Sequence, residues 1–156
     1  MTIKALGIDY GDARIGVAVS DDLGMMAHPV ETVAARDPLK SPTARIAEIA
    51  TERKVTHVVI GMPLRMNGSE GTAAEKVRKF ITALRRDLPA GLVIEEVDER
   101  LSTIEAQRQL HLSGKNTKKS KSVIDQAAAV VILQDWLDTR AGFDSQLIDD
   151  IDLNHD

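Results

Sequence analysis

At 156 residues, 43% hydrophobic and 28% charged, the chain holds enough apolar material for one domain with a real core. It has no cysteine, which excludes disulfides and thiolate metal centres. No apolar run approaches the roughly 20 residues of a membrane-spanning helix, and no signal-peptide pattern follows Met1, so a cytoplasmic protein with no membrane partner is expected. The net charge of −4 originates at the end of the chain: residues 141–156 carry five aspartates and no Lys or Arg, which leaves residues 1–140 at +1. The pattern predicts one domain over 1–140 and an acidic, flexible tail over 141–156.

Ile3 to Asp9 and Arg14 to Ser20 read as strands joined by a hairpin turn at Tyr10, Gly11, Asp12 and Ala13. Met25 to Val33 is a third strand, placed at an edge because Pro29 cannot donate to a ladder. Ser41-Pro42 opens a helix to about Lys54, with serine as cap and proline at the first helical position. Val55 to Ile60 is a short apolar strand stopped by Gly61-Met62-Pro63. A turn-rich loop from Arg65 to Ser69 follows. Ala73 to Leu88 spaces Val77, Phe80, Ile81 and Leu84 as a helix. Leu92 to Val97 is a fifth strand ending in Asp98-Glu99-Arg100, and Ser102-x-x-Glu105 opens a helix to about Leu112. Gly114 to Ser122 holds four lysines and no acid, which reads as a solvated loop. It gains meaning as a polyanion contact only if it borders an active site. Val123 to Leu137 is a last, alanine-rich helix. Three strands followed by alternating helices and strands predict an α/β fold: a five-stranded mixed sheet, its first three strands antiparallel, flanked by helices. Strand 1 is expected at the centre, with strands 4 and 5 added parallel to it by right-handed crossovers.

Asp9 closes strand 1, and Asp98 and Glu99 close strand 5. In the parallel part of such a sheet these ends share one edge, where open α/β sheets place ligands. Alternation puts Val97 and Glu99 on one face and Glu96 and Asp98 on the other, without saying which face looks at Asp9. Asp125 lies near the start of the last helix, in line with Ala128, Ala129, Ile132 and Trp136, so it falls on the inward stripe. Taken alone, Ser122-x-x-Asp125 is an ordinary capping box; beside the other acids it belongs to a site. Carboxylates from three elements suit a hard divalent cation, magnesium or manganese. Two such ions about 4 Å apart stabilise the attacking and leaving oxygens of an in-line phosphoryl displacement. The four histidines are scattered, and His57 reads as a strand residue with a hydrogen-bonded ring. Arg14, Arg65 and Arg100, with Lys115, Lys118, Lys119 and Lys121, are candidate phosphate contacts. For Arg14 and Arg100 an ion pair with a neighbouring acid is an equally plain reading.

The segments GIDYGDARIGVAVSD, VVIGMPLRMNGSEG, VDERLST and Asp125-Gln126-Ala127-Ala128-Ala129 together resemble the YqgF family. Its members are called pre-16S rRNA nucleases or Holliday-junction-resolvase-like proteins. Four motifs in order, over roughly residues 3–140, make the resemblance specific. It implies a ribonuclease H-like fold and metal-dependent phosphodiester cleavage, with Asp9, Glu99 and Asp125 as the metal-binding catalytic acids. By this analogy Glu99 is preferred to Asp98. It further implies processing of the 5′ end of precursor 16S rRNA in the cytoplasm, on pre-ribosomal particles. A DNA enzyme of the same chemistry, acting on branched junctions as a dimer rather than a monomer, is the alternative. A sugar kinase or actin-like ATPase needs a second phosphate loop and a second lobe, and no G-x-x-x-x-G-K-[ST] is present. A non-catalytic RNA-binding factor is disfavoured by three intact acids, and 3% aromatics disfavour binding by base stacking.

Overall fold

The computed structural model describes residues 3–101 and 118–153. Five strands form one sheet: β1 (Ala5–Asp9), β2 (Arg14–Ser20), β3 (Ala27–Ala34), β4 (His57–Met62) and β5 (Val93–Asp98). Their spatial order is β3-β2-β1-β4-β5. β1, β2 and β3 pair with one another antiparallel, and β1, β4 and β5 run parallel. β1 is therefore central and β3, with Pro29, lies at an edge, as the proline requires.

Helix α1 (Pro42–Glu52) starts as its sequence dictates: Ser41 accepts a hydrogen bond from the Ala44 N–H at 3.1 Å, and Pro42 occupies the first turn. α2 (Thr72–Asp87) follows β4. Both pack on one face of the sheet, where Ile46, Ile49, Val77, Phe80 and Leu84 meet Leu6, Ile8, Ile15, Val17 and Ile60. The other face is covered by α3 (Lys118–Leu153), through Ala128, Ala129, Ile132, Leu133 and Trp136 against Ala5, Ala18 and Val59.

The alternation along β1 explains the asymmetry between the faces. Leu6 and Ile8 point to α1 and α2; Ala5 and Gly7 point to α3. With side chains this small the helix lies close to the sheet: a Cβ on Gly7 would come within 2.6 Å of the Leu133 Cβ. Four of the five strands extend one or two residues beyond or short of their expected ends, and β2 matches. The expected helix from Ser102 to about Leu112 and Lys115 lie outside the described residues.

The last helix differs from expectation at both ends. It starts at Lys118 and its backbone stays helical to Leu153, instead of spanning Val123 to Leu137. Lys118, Lys119 and Lys121 therefore belong to its opening turns and not to a loop. Lysine is a good helix former, and no glycine or proline separates these lysines from the apolar stripe. No described helix is long and apolar enough to cross a membrane.

Candidate active site

The site is built on one row of residues crossing the sheet. Asp9, the last residue of β1, pairs directly with Gly16 of β2. On its other side Ile8 stands beside Ile60 of β4, which brings Gly61 level with Asp9. Gly61 in turn pairs with Val97 of β5. Neighbours in one row point to the same face, and Gly16, Gly61 and Val97 all face α3. Asp9 thus projects toward α3 with a glycine on either side.

The two glycines admit different neighbours, the α3 backbone at one and a carboxylate at the other. A Cβ on Gly16 would lie 1.9 Å from the Asp125 carbonyl oxygen, so the backbone of α3 at Asp125 rests directly on β2. A Cβ on Gly61 would lie 2.6 Å from Glu99 Oε1, so the Glu99 carboxylate folds back over β4. Strands are spaced about 4.8 Å apart, which puts the Glu99 carboxylate beside Asp9. The structure accordingly brings Glu99, and not Asp98, to the face of Asp9. Asp9 and Glu99 are 5% and 6% exposed.

Local packing fixes each acid. Just after Asp9, the Tyr10 ring packs on Phe80 of α2 with centroids 4.9 Å apart, and Asp12 pairs with Lys76 at 3.0 Å. The turn between β1 and β2 is thereby tied to α2. Glu99 opens a single 3-10 turn (Glu99–Leu101) directly after β5. Asp125 is presented by the inward stripe of α3, whose Ala128, Ala129 and Ile132 are fully or nearly buried. Because α3 begins at Lys118, Ser122 lies inside the helix and not at its N-cap position, so Asp125 does not stand third in a first-turn capping box. Gln126 extends the contact to the edge strand, its Nε2 donating to Thr32 Oγ1 at 3.0 Å.

The arginines take different places. Arg14, first residue of β2, donates from Nε to Asp125 Oδ2 at 2.8 Å. Arg100 donates from Nη2 to Asp98 Oδ2 at 2.7 Å and from Nη1 to the Met66 carbonyl at 3.1 Å. This bond holds the Asp98 carboxyl below its ordinary range and braces the loop after β4 against the end of β5. That loop is closed by Arg65 N–H donating to the Ser69 carbonyl at 2.9 Å and Gly68 N–H to the Arg65 carbonyl at 2.8 Å. The Arg65 side chain is exposed and lies over Gly71, at the start of α2. His57 is far from this edge, at the opening of β4. Its Nδ1 shares a 2.8 Å hydrogen bond with Thr56 Oγ1.

The donor set fits a hard divalent cation: carboxylates from β1, the end of β5 and α3, with glycine clefts beside the central one. As the side chains stand, Asp125 is engaged by Arg14, and no ready group of three metal-ligating side chains exists among the described residues. Gly16 and Gly61 were not among the candidate residues. Their signal was available in the alternation, where Ala5, Gly7, Asp9 and Gly16, Ala18 form a face of small residues around a single acid.

Comparison with known proteins agrees with this architecture. A family model described as RuvX, Holliday junction resolvase, matches residues 3–139. A Myxococcus xanthus protein named "Putative pre-16S rRNA nuclease" is 48% identical over 136 residues, covering 87% of this chain and 88% of its own. A protein of the same name from Ruminiclostridium cellulolyticum is 43% identical over 140 residues, covering 90% and 97%. Among solved structures, Thermus thermophilus RuvC in complex with a Holliday junction substrate superimposes with a TM-score of 0.53 at 17% identity, over 90% of this chain and 96% of that one. At that identity the likeness speaks for the fold alone, which is ribonuclease H-like. The chain belongs to the RuvX (YqgF) family.

Proposed function

We propose that this protein is a metal-dependent nuclease that hydrolyses phosphodiester bonds in structured RNA, processing the 5′ end of precursor 16S rRNA in the cytoplasm. The observation that supports the reading is the row Gly16, Asp9, Gly61: a buried aspartate with the α3 backbone at Asp125 against one flanking glycine and the Glu99 carboxylate against the other. Carboxylates on three elements suit a hard divalent cation, and relatives over 40% identical bear the name of an rRNA nuclease.

Asp9, Glu99 and Asp125 would hold the cation. A magnesium or manganese ion bound there would supply a nucleophilic water and stabilise the oxygens of the displacement. The protein's own share is positioning. Burial keeps Asp9 and Glu99 oriented before substrate arrives, so little reorganisation is left for the reaction. Arg65 and Arg100 line the loop at the same sheet edge, where a guanidinium fits a phosphate. Lys115, Lys118, Lys119 and Lys121 precede Asp125 in the chain and would draw a nucleic-acid backbone toward it. Residues 1–140 form the nuclease domain in this reading, and 141–156 an acidic appendage.

A second reading, resolution of branched DNA, is favoured by the family model's description as a Holliday junction resolvase. It requires two sites, hence a homodimer, whereas RNA processing is open to a monomer. The test is a panel with magnesium: precursor 16S rRNA fragments beside a synthetic four-way junction, with the oligomeric state measured in the same buffer. Selective cutting of the RNA supports the first reading; symmetric cutting of the junction by a dimer replaces it with the second.

A further inference from the structure

The acid on α3 is not presented as an open ligand. Asp125 Oδ2 accepts the Arg14 Nε–H at 2.8 Å, and the side chains are only 21% and 39% exposed. The pair joins the first residue of β2 to the third turn of α3, and both backbones are fixed there: Gly16, two residues beyond Arg14, is pressed against the Asp125 carbonyl. Neither end can drift away, so the contact breaks by side-chain rotation alone. Arg14 also lies on the strand that pairs with Asp9, two residues before its partner Gly16.

We infer that Arg14 is a counter-ion guard: it occupies Asp125 while the site is empty, and gives it up when a phosphodiester takes the guanidinium. This rests on the nuclease reading above and adds a positioning residue to it. A guanidinium forks onto carboxylate and phosphate with the same geometry, so a nucleic-acid backbone is the class of ligand able to compete for it. A cation arriving without nucleic acid must displace Arg14 before it gains the third carboxylate. The guard therefore lowers the cation affinity of the empty enzyme, and by linkage the same pair weakens metal-free nucleic-acid binding.

The experiment is one double-mutant cycle, Arg14→Gln, Asp125→Asn and both together, on the full chain, read by two probes without turnover. The first probe is Mn2+ alone, followed by calorimetry and electron paramagnetic resonance. Arg14→Gln is expected to tighten Mn2+ binding by about fivefold or more, and this gain should vanish in the Asp125→Asn background. The second probe is an RNA hairpin in EDTA. Asp125→Asn is expected to tighten its binding, more strongly with Arg14 present than with Gln at that position. A gain of equal size with and without Asp125 would mean that Arg14 acts only by its charge, and would overturn the inference while leaving the site intact. Mn2+ binding in the wild type but unchanged in Arg14→Gln would overturn it in the same way. No Mn2+ binding in any variant, with Asp9→Asn equal to wild type, would overturn the site and the guard together. Should Arg14→Gln fail to fold, Arg14→Lys serves: it keeps the charge with a poorer fork, and a smaller gain in Mn2+ affinity is expected, with no gain counting against the guard.

Discussion

Gly61 and Gly16 both face α3, yet substitution at the two positions should differ in its effect on stability. A Cβ on Gly61 meets Glu99 Oε1 and Ile132 Cδ1, each at 2.6 Å, which are the far ends of flexible side chains. Gly61→Ala should therefore fold with little loss of stability and lose most of its cleavage activity, because Glu99 must leave its place. A Cβ on Gly16 meets the Asp125 backbone carbonyl at 1.9 Å, and backbone yields only by lifting the helix. Gly16→Ala should cost about 1–3 kcal/mol or more together with activity. Urea midpoints and single-turnover rates of the two variants test the contrast, and equal stability losses would contradict it. The acids were legible in the sequence because a charge at the end of an apolar strand stands out. The glycines were harder to read, since a missing side chain acquires meaning only when something is known to press against it.

Among the elements, α3 sets where Asp125 stands. Ile132, fully buried and over Gly61, anchors the helix about two turns beyond Asp125. Ile132→Ala should destabilise the protein by about 2–5 kcal/mol, measured by denaturant unfolding, and should loosen Asp125 with it. A loss well under 1 kcal/mol would mean that α3 is not cemented to the sheet as described. The inward stripe from Asp125 to Trp136 was legible from helical spacing, as were all five strands from apolar alternation and turn residues. The helix start was not. A lysine run carries no apolar periodicity, so nothing in it distinguishes a solvated loop from a solvated first turn. The face of β5 was likewise open from alternation alone. Pairing of Gly61 with Val97, which turns Glu99 toward Asp9 and leaves Asp98 to Arg100, is a tertiary fact.

Across the whole molecule, the acids gather at one pole of the sheet and a separate network closes the other. There the His57 ring packs on Trp136 with centroids 5.5 Å apart, Arg140 lies 4.8 Å from the centroid of the same indole, and Trp136 Nε1 donates to Glu95. Burial pushes the His57 imidazole below its ordinary 6.5; Arg140 adds to this and Glu95 opposes it. The folded protein thus binds this proton more weakly than the unfolded chain. Its contribution is present above about pH 6.5 and is lost as pH falls through the depressed folded value. Stability measured at about pH 7.5 and about pH 5.5 should fall with pH in the wild type and fall less in His57→Gln. An identical slope in both would remove His57 as the cause.

Asp9 is the acid at the centre of the proposed site, flanked by Gly16 and Gly61. Its most direct test is cleavage of a precursor 16S rRNA fragment by the wild type and by Asp9→Asn, with magnesium and with EDTA. The account predicts magnesium-dependent cutting by the wild type, and a folded Asp9→Asn protein slower by at least about a hundredfold. Wild-type rates from a folded Asp9→Asn protein would contradict it.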